Sequence, residues 1–112
     1  MHFITMHSNI DIASFYNKSQ AESLIILDVR NTDEYEIERV PNSVNIPLDY
    51  LSKHTDALNE DETYYVICKS GIRSEKACQF LSEHGFKTVR VEGGIQSWPG
   101  ELEQSNDFTT LL

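Results

Sequence analysis

Cys68-Lys69-Ser70-Gly71-Ile72-Arg73-Ser74 is the stretch whose residue types and spacing could do chemistry. A cysteine supplies a nucleophilic sulfur, and two cations and a glycine follow within one short loop. The β-branched and aromatic run Tyr64 to Ile67 leads into the cysteine, and a helical pattern begins on the far side of the loop. A strand–loop–helix turn of this kind aims successive backbone N–H groups into a small bowl, with the positive end of the helix dipole beneath it. The bowl, Lys69 and Arg73 all favour thiolate over thiol at Cys68. Lys69, Ser70, Gly71, Ile72 and Arg73 would then line an anion site facing that thiolate. Gly71 lets the backbone approach closely or take a positive φ. The implied chemistry is covalent nucleophilic catalysis at sulfur.

Elements that could hold such a loop are legible on both sides of it. Ser23 to Leu27 is an apolar run too short for a helix and reads as a strand buried on both faces. Ser43 to Ile46 is a brief strand ended by Pro47, Thr63 to Ile67 is the central strand, and Thr88 to Val91 is another. Between them lie helical patterns. Ser8-Asn9-Ile10-Asp11 has the form of a helix start, with Ile12, Phe15 and Tyr16 at helical spacing. Asn31 or Thr32 caps a short helix to Ile37, and Leu48 to Asn59 contains one or two helical turns. A longer helix runs from Arg73 or Ser74 to His84 and stops at Gly85. Gly93-Gly94 turns the chain into Ile95 to Trp98, and the polar residues 101–112 are expected to form a loosely packed tail. Buried strands alternating with helices predict an α/β fold, a mostly parallel central sheet of about five strands with helices on both faces. Sites in such sheets form outside the carboxyl ends of the strands, which is where Cys68 falls.

The whole chain narrows the setting. One domain of 112 residues, 39% hydrophobic with a mean hydropathy of −0.40, has the composition of a globular core and not of a disordered segment. Eighteen acidic against nine basic residues give a net charge of −9, which argues against nucleic acid or an anionic membrane as partner. No apolar run approaches the roughly 18–20 residues of a membrane span, and the N-terminus lacks a secretory pattern. Only two cysteines are present, so a reducing, cytoplasmic setting with a reactive thiol is expected. His2, His7, His54 and His84 show no ligand spacing, so neither a metal nor an organic cofactor is expected.

Several charged or reactive residues read as scaffold. Cys78 shares an apolar helix face with Ala77 and Leu81, and could not reach Cys68 without backbone movement. Asp28 follows a buried strand, where a carboxylate needs partners, and Arg30 has the i, i+4 spacing to pair with Glu34. Both are expected to support the site from behind. Arg39 reads as a surface charge.

The order of these pieces resembles the single-domain rhodaneses, sulfurtransferases of the rhodanese homology family. Leu27-Asp28-Val29-Arg30 with Glu34-Tyr35 is similar to the family's first motif, and Val44 to Leu48 to the strand and turn after it. Cys68 to Ser74 resembles the active-site loop. Gly85-Phe86, Val91-Glu92-Gly93-Gly94 and Trp98 resemble the closing motif. The resemblance covers about Ser8 to Trp98, so residues 1–100 are expected to form the rhodanese-like domain. Glu38 to Ser43 departs from the family's Gly-His-Ile-Pro-Gly-Ala-like stretch and keeps only Pro41.

The resemblance implies sulfane-sulfur transfer through a persulfide on Cys68. The donor would be thiosulfate or another small anionic sulfur compound. The acceptor would be cyanide or a thiol, including a cysteine of a partner protein. Two alternatives stand beside it. Cysteine phosphatases and arsenate reductases also run from Cys to Arg, but through a loop one residue longer than this one. A non-catalytic binding or regulatory module is the other.

Overall fold

The structure, a computed structural model, describes residues 7–105. In chain order the elements are β1 (Ser8–Ile10), α1 (Ile12–Ala21), β2 (Ile25–Asp28), α2 (Thr32–Ile37), β3 (Glu38–Arg39), β4 (Ser43–Asn45), β5 (Thr63–Ile67), α3 (Ile72–Glu83), β6 (Lys87–Val91) and β7 (Glu103–Gln104). Three 3-10 turns, Leu48–Lys53, Thr55–Ala57 and Ile95–Ser97, complete the connections. Five strands form one parallel sheet in the order β1-β6-β5-β2-β4, with β5 at its centre.

Period-two alternation explains how so short a sheet is buried on both sides. Leu27 and Val66 point to one face, where they meet Ala77, Cys78 and Leu81 of α3 and Leu51 of the first 3-10 turn. Their neighbours Ile26 and Ile67 point to the other face and pack with Phe15 of α1, Val40, Val91 and Ile95. Phe15 is fully buried, its ring 5.8 Å from that of Tyr65. Burying a side chain of that size contributes about 2–3 kcal/mol. Trp98 closes the same layer, edge-on to Tyr16 at 5.1 Å. α3 ends where Gly85 takes φ +88°, and the Phe86 N–H returns to the Leu81 carbonyl at 3.0 Å.

Two local expectations are corrected. Ser8–Ile10 is not a helix start but an edge strand, paired with Val89–Val91 of β6. The cap lies three residues later: Asp11 accepts from the Ser14 N–H and the Ser14 hydroxyl, both at 2.8 Å. Residues 101–105 are also not loose. Leu102 packs on the second core, β7 pairs antiparallel with β3, and Arg39 Nε meets Glu103 Oε1 at 3.0 Å. The rest of the expected tail, residues 106–112, lies outside the described residues. Arg39 is therefore a tie between segments and also lies over the Tyr35 ring, 5.3 Å from its centroid.

Candidate active site

β5 ends at Ile67 in the middle of the sheet, so Cys68 emerges at the carboxyl edge with strands on both sides. Its Sγ is the focus of the turn that follows. The Gly71 N–H donates to it at 3.0 Å and the Ser74 N–H at 3.3 Å, while the Ser74 hydroxyl lies 3.5 Å away. Ile72 and Arg73 occupy the first turn of α3, where amides have no intrahelical acceptor. The amides that converge on the sulfur are thus those of Gly71 and Ser74, whereas the sequence places the bowl at residues 69 to 73, and the α3 dipole lies behind them.

Gly71 makes the turn by adopting φ +110°. Its carbonyl is pinned from three sides, by the Glu75 N–H at 3.2 Å, the Ser74 hydroxyl at 3.0 Å and Arg90 Nε at 3.0 Å. The next segment props the loop from beneath. The Ile95 N–H donates to the Cys68 carbonyl at 2.9 Å and the Gln96 N–H to the Lys69 carbonyl at 3.2 Å. Gly94 permits that approach, since a Cβ there would fall 2.5 Å from the Cys68 carbonyl oxygen.

The loop residues divide. Lys69, Ser70 and Ile72 are exposed, and Ile72 leaves 67% of its surface open. The hydroxyl that meets the sulfur belongs to Ser74 and not to the exposed Ser70. Arg73 does not stand free as an anion receptor. Its guanidinium grips Glu34 of α2 with both ends, at 2.6 and 3.1 Å. That hydrogen-bonded pairing lowers the Glu34 carboxyl to about 2 and raises Arg73. Glu34 is further held by the Asn31 N–H at 3.1 Å, the capping contact of α2.

The expected Arg30–Glu34 side-chain pair is accordingly replaced. Arg30 turns to Asp28, Nη2 to Oδ2 at 2.8 Å, and its Nη2 also donates to the Glu38 carbonyl at 2.7 Å. Both residues are buried, and Asn45 Nδ2 bonds the two carbonyls of Asp28 and Arg30 at 3.0 and 2.9 Å. This network locks the carboxyl end of β2 beside the loop. No hydrogen bond of the described residues joins it to Cys68.

A pocket of about 440 Å³ opens beside the loop, lined by Arg30, Glu34, Glu38, Lys69, Gln96 and Trp98 among others. Cys68, 1% exposed, is not among the lining residues, although its neighbour Lys69 is. A larger cavity of about 540 Å³, between α1 and the Val40–Asn42 turn, contains none of residues 68–74 and lies apart from the sulfur. Cys78 is fully buried on α3, and desolvation pushes its thiol up to about 12. Among the described residues no group of His, Cys, Asp and Glu could hold a metal ion, and no helix is long and apolar enough to cross a membrane.

Sequence reasoning missed Ser74, Glu34, Arg90 and Gly94 as site residues. Ser74 had a signal, as a hydroxyl one helical turn past a positive-φ glycine. Glu34 had half of one: Asn31-x-x-Glu34 is a capping pattern, but its partner Arg73 is 39 residues away.

Comparison with known proteins agrees with this fold. The Rhodanese-like domain family matches residues 11–101. YtwF of Bacillus subtilis, whose name assigns it provisionally to the sulfurtransferases, is 39% identical over 98 residues, covering 87% of this chain and 95% of its own length. YrkF of the same organism, named provisionally as a sulfur carrier protein, is 43% identical over 96 residues, and the chain spans only 52% of it. The thiosulfate sulfurtransferase GlpE of Coxiella burnetii is 29% identical over 94 residues, 83% of this chain and 88% of its own. A crystal structure of a rhodanese-like domain protein from Staphylococcus aureus superposes with a TM-score of 0.82 at 33% identity, covering 88% and 99% of the two chains. With the parallel sheet, the Cys68 loop and these matches all in place, the chain belongs to the rhodanese-like domain family.

Proposed function

We propose that the protein is a sulfurtransferase that carries sulfane sulfur as a persulfide on Cys68. The observation that carries this reading is the convergence of the Gly71 and Ser74 amides on Sγ, at 3.0 and 3.3 Å. Preorganised N–H dipoles aimed at sulfur stabilise negative charge there without reorganisation. The Cys68 thiolate attacks the outer sulfur of thiosulfate; the new S–S bond forms as the donor's S–S bond breaks, and sulfite leaves with the electron pair. Sulfite needs no proton to leave, so no general acid is required. With a hydropersulfide donor the departing group is the donor's thiolate. The outer sulfur, now on Cys68, is held by the amides at the start of α3. Attack on it by cyanide or a thiol restores the Cys68 thiolate, and no oxidant or reductant is consumed.

The roles of the other residues follow from their contacts. Ser74 fixes the bowl through its amide and hydroxyl, and Gly71 supplies the turn. Lys69 offers a cation in the pocket lining, while Ser70 and Ile72 are exposed on the loop. Asp28 and Arg30 hold the neighbouring strand end in place. The names of GlpE and YrkF support thiosulfate as a usable donor and a sulfur-carrying protein as a partner. The loop between Cys68 and Arg73, one residue shorter than that of the phosphatases it resembles, favours sulfur over a tetrahedral oxyanion.

Steady-state transfer from thiosulfate to cyanide, with thiocyanate as product, tests the reading. Wild type turns over and Cys68→Ser does not, while both give the same thermal transition. Turnover by Cys68→Ser at the wild-type rate would overturn it.

A further inference from the structure

Two of the cations around the site are already committed. Arg30 is engaged by Asp28 at 2.8 Å, and Arg73 by both oxygens of Glu34. Lys69 is the one basic residue lining the pocket without an ion pair among the described residues. Against it stands Glu38, which lines the same pocket and also lacks an ion pair there. The pocket lining carries Arg30 and Lys69 against Glu34 and Glu38, so it is electrically balanced, on a body of net charge −9. Such a surface gives a dianion no net attraction.

Resting on the sulfurtransferase reading, we infer that Glu34 is a specificity-determining residue: by occupying the Arg73 guanidinium it disfavours dianionic thiosulfate and leaves the site suited to a hydropersulfide. Thiosulfate brings two negative charges to the pocket. A persulfide, more acidic than its parent thiol, brings at most one, and the neutral form R–S–SH that is attacked brings none. Glu34 is well placed to discriminate because it is fixed twice, by Arg73 and by the Asn31 N–H, and so cannot swing aside cheaply. Its carboxylate stays charged throughout the neutral range, held there by the same Arg73 contact. The pair is 30% exposed on each side, so its field reaches the solvent-filled mouth and is only partly screened.

The test is the ratio of kcat/KM for the hydropersulfide of 2-mercaptoethanol to that for thiosulfate, with cyanide as common acceptor. A ratio taken within one variant does not depend on what fraction of the preparation is folded. Glu34→Gln keeps the shape, removes the charge and frees Arg73. It should lower the ratio about tenfold, mainly through a smaller KM for thiosulfate, as expected for one unit charge acting on a dianion in a partly solvated site. Glu34→Asp retains the charge and should keep the ratio within about twofold of wild type. Glu38→Gln alters a side chain that makes no hydrogen bond among the described residues. It should shift the ratio in the same direction by about threefold, and decides the matter if Glu34→Gln does not fold. Ratios unchanged in the glutamine variants, with both donors loading Cys68, overturn the inference and leave the sulfurtransferase reading intact. A folded wild type that takes sulfur from neither donor overturns both.

Discussion

Replacing Gly94 with alanine should damage both the fold and the Cys68 loop, although Gly94 lies outside that loop. Its backbone, at φ +62° and ψ −166°, sits in a region open essentially to glycine alone, so a side chain there costs about 1–3 kcal/mol in strain. The added Cβ would fall 2.5 Å from both the Cys68 carbonyl oxygen and the Lys69 carbonyl carbon, where backbone and not a flexible side chain must yield. Separating the two segments breaks the Ile95 N–H to Cys68 and Gln96 N–H to Lys69 hydrogen bonds, at about 1 kcal/mol each. Together these come to about 4 kcal/mol, a large part of the roughly 5–15 kcal/mol that holds a domain folded. Guanidinium unfolding followed by the fluorescence of Trp98, the single tryptophan, measures it directly. Alkylation of Cys68 by iodoacetamide under native conditions should accelerate as the loop loosens. Gly85→Ala is the control, because its Cβ would meet only the mobile end of Glu60, 3.0 Å away, at the left-handed stop of α3. That variant should lose about 1 kcal/mol and leave Cys68 alkylation unchanged. A Gly94→Ala protein within about 1 kcal/mol of wild type, with unaltered alkylation, would refute the reasoning.

Asp28→Asn should destabilise by about 3 kcal/mol in guanidinium titrations, since it leaves the Arg30 charge 4% exposed and unpaired. The Glu34–Arg73 pair lowers the folded-state carboxyl from 4.5 to about 2, so its contribution is full above the unfolded value and fades as pH falls from about 4.5 towards 2. After allowance for partial exposure it amounts to about 1 kcal/mol. Thermal melts of wild type and Glu34→Gln should differ at pH 7 and converge near pH 2. Cys78, buried with its thiol pushed up to about 12, should resist alkylation in native Cys68→Ser and react only on unfolding. Cys78→Ala should retain sulfur transfer at a cost of about 1 kcal/mol.

What was legible in the sequence was local. The apolar runs at Ile25–Asp28 and Thr63–Ile67 mark strands because each is short, rich in β-branched or bulky residues and bounded by polar turns. The Cys68 loop is readable because strand, sulfur, glycine and helix start are contiguous. β1 was misread because three residues carry almost no periodic signal, and its strand character comes from β6, some 80 positions on. The same limit hides β3 and β7, two residues each, whose identity lies in pairing with one another. Arg73 illustrates the point at the site itself. Its position in the motif suggested a free cation, and only the fold brings Glu34 across to neutralise it. Gly94 and Arg90 escaped for the same reason, since close approach and carbonyl capture are made between segments. Ser74 lay in plain view, but its role depends on the first turn of α3 directing its amide at sulfur and its hydroxyl at the Gly71 carbonyl, where the oxygen also accepts from the Cys68 thiol.

Intact mass after exposure to thiosulfate is the most direct test of the central claim, that Cys68 carries the transferred sulfur. Wild type should gain the mass of one sulfur atom and lose it on addition of cyanide, and Cys68→Ser should gain nothing. A folded wild type that gains no sulfur, or a Cys68→Ser protein that still does, would contradict the account.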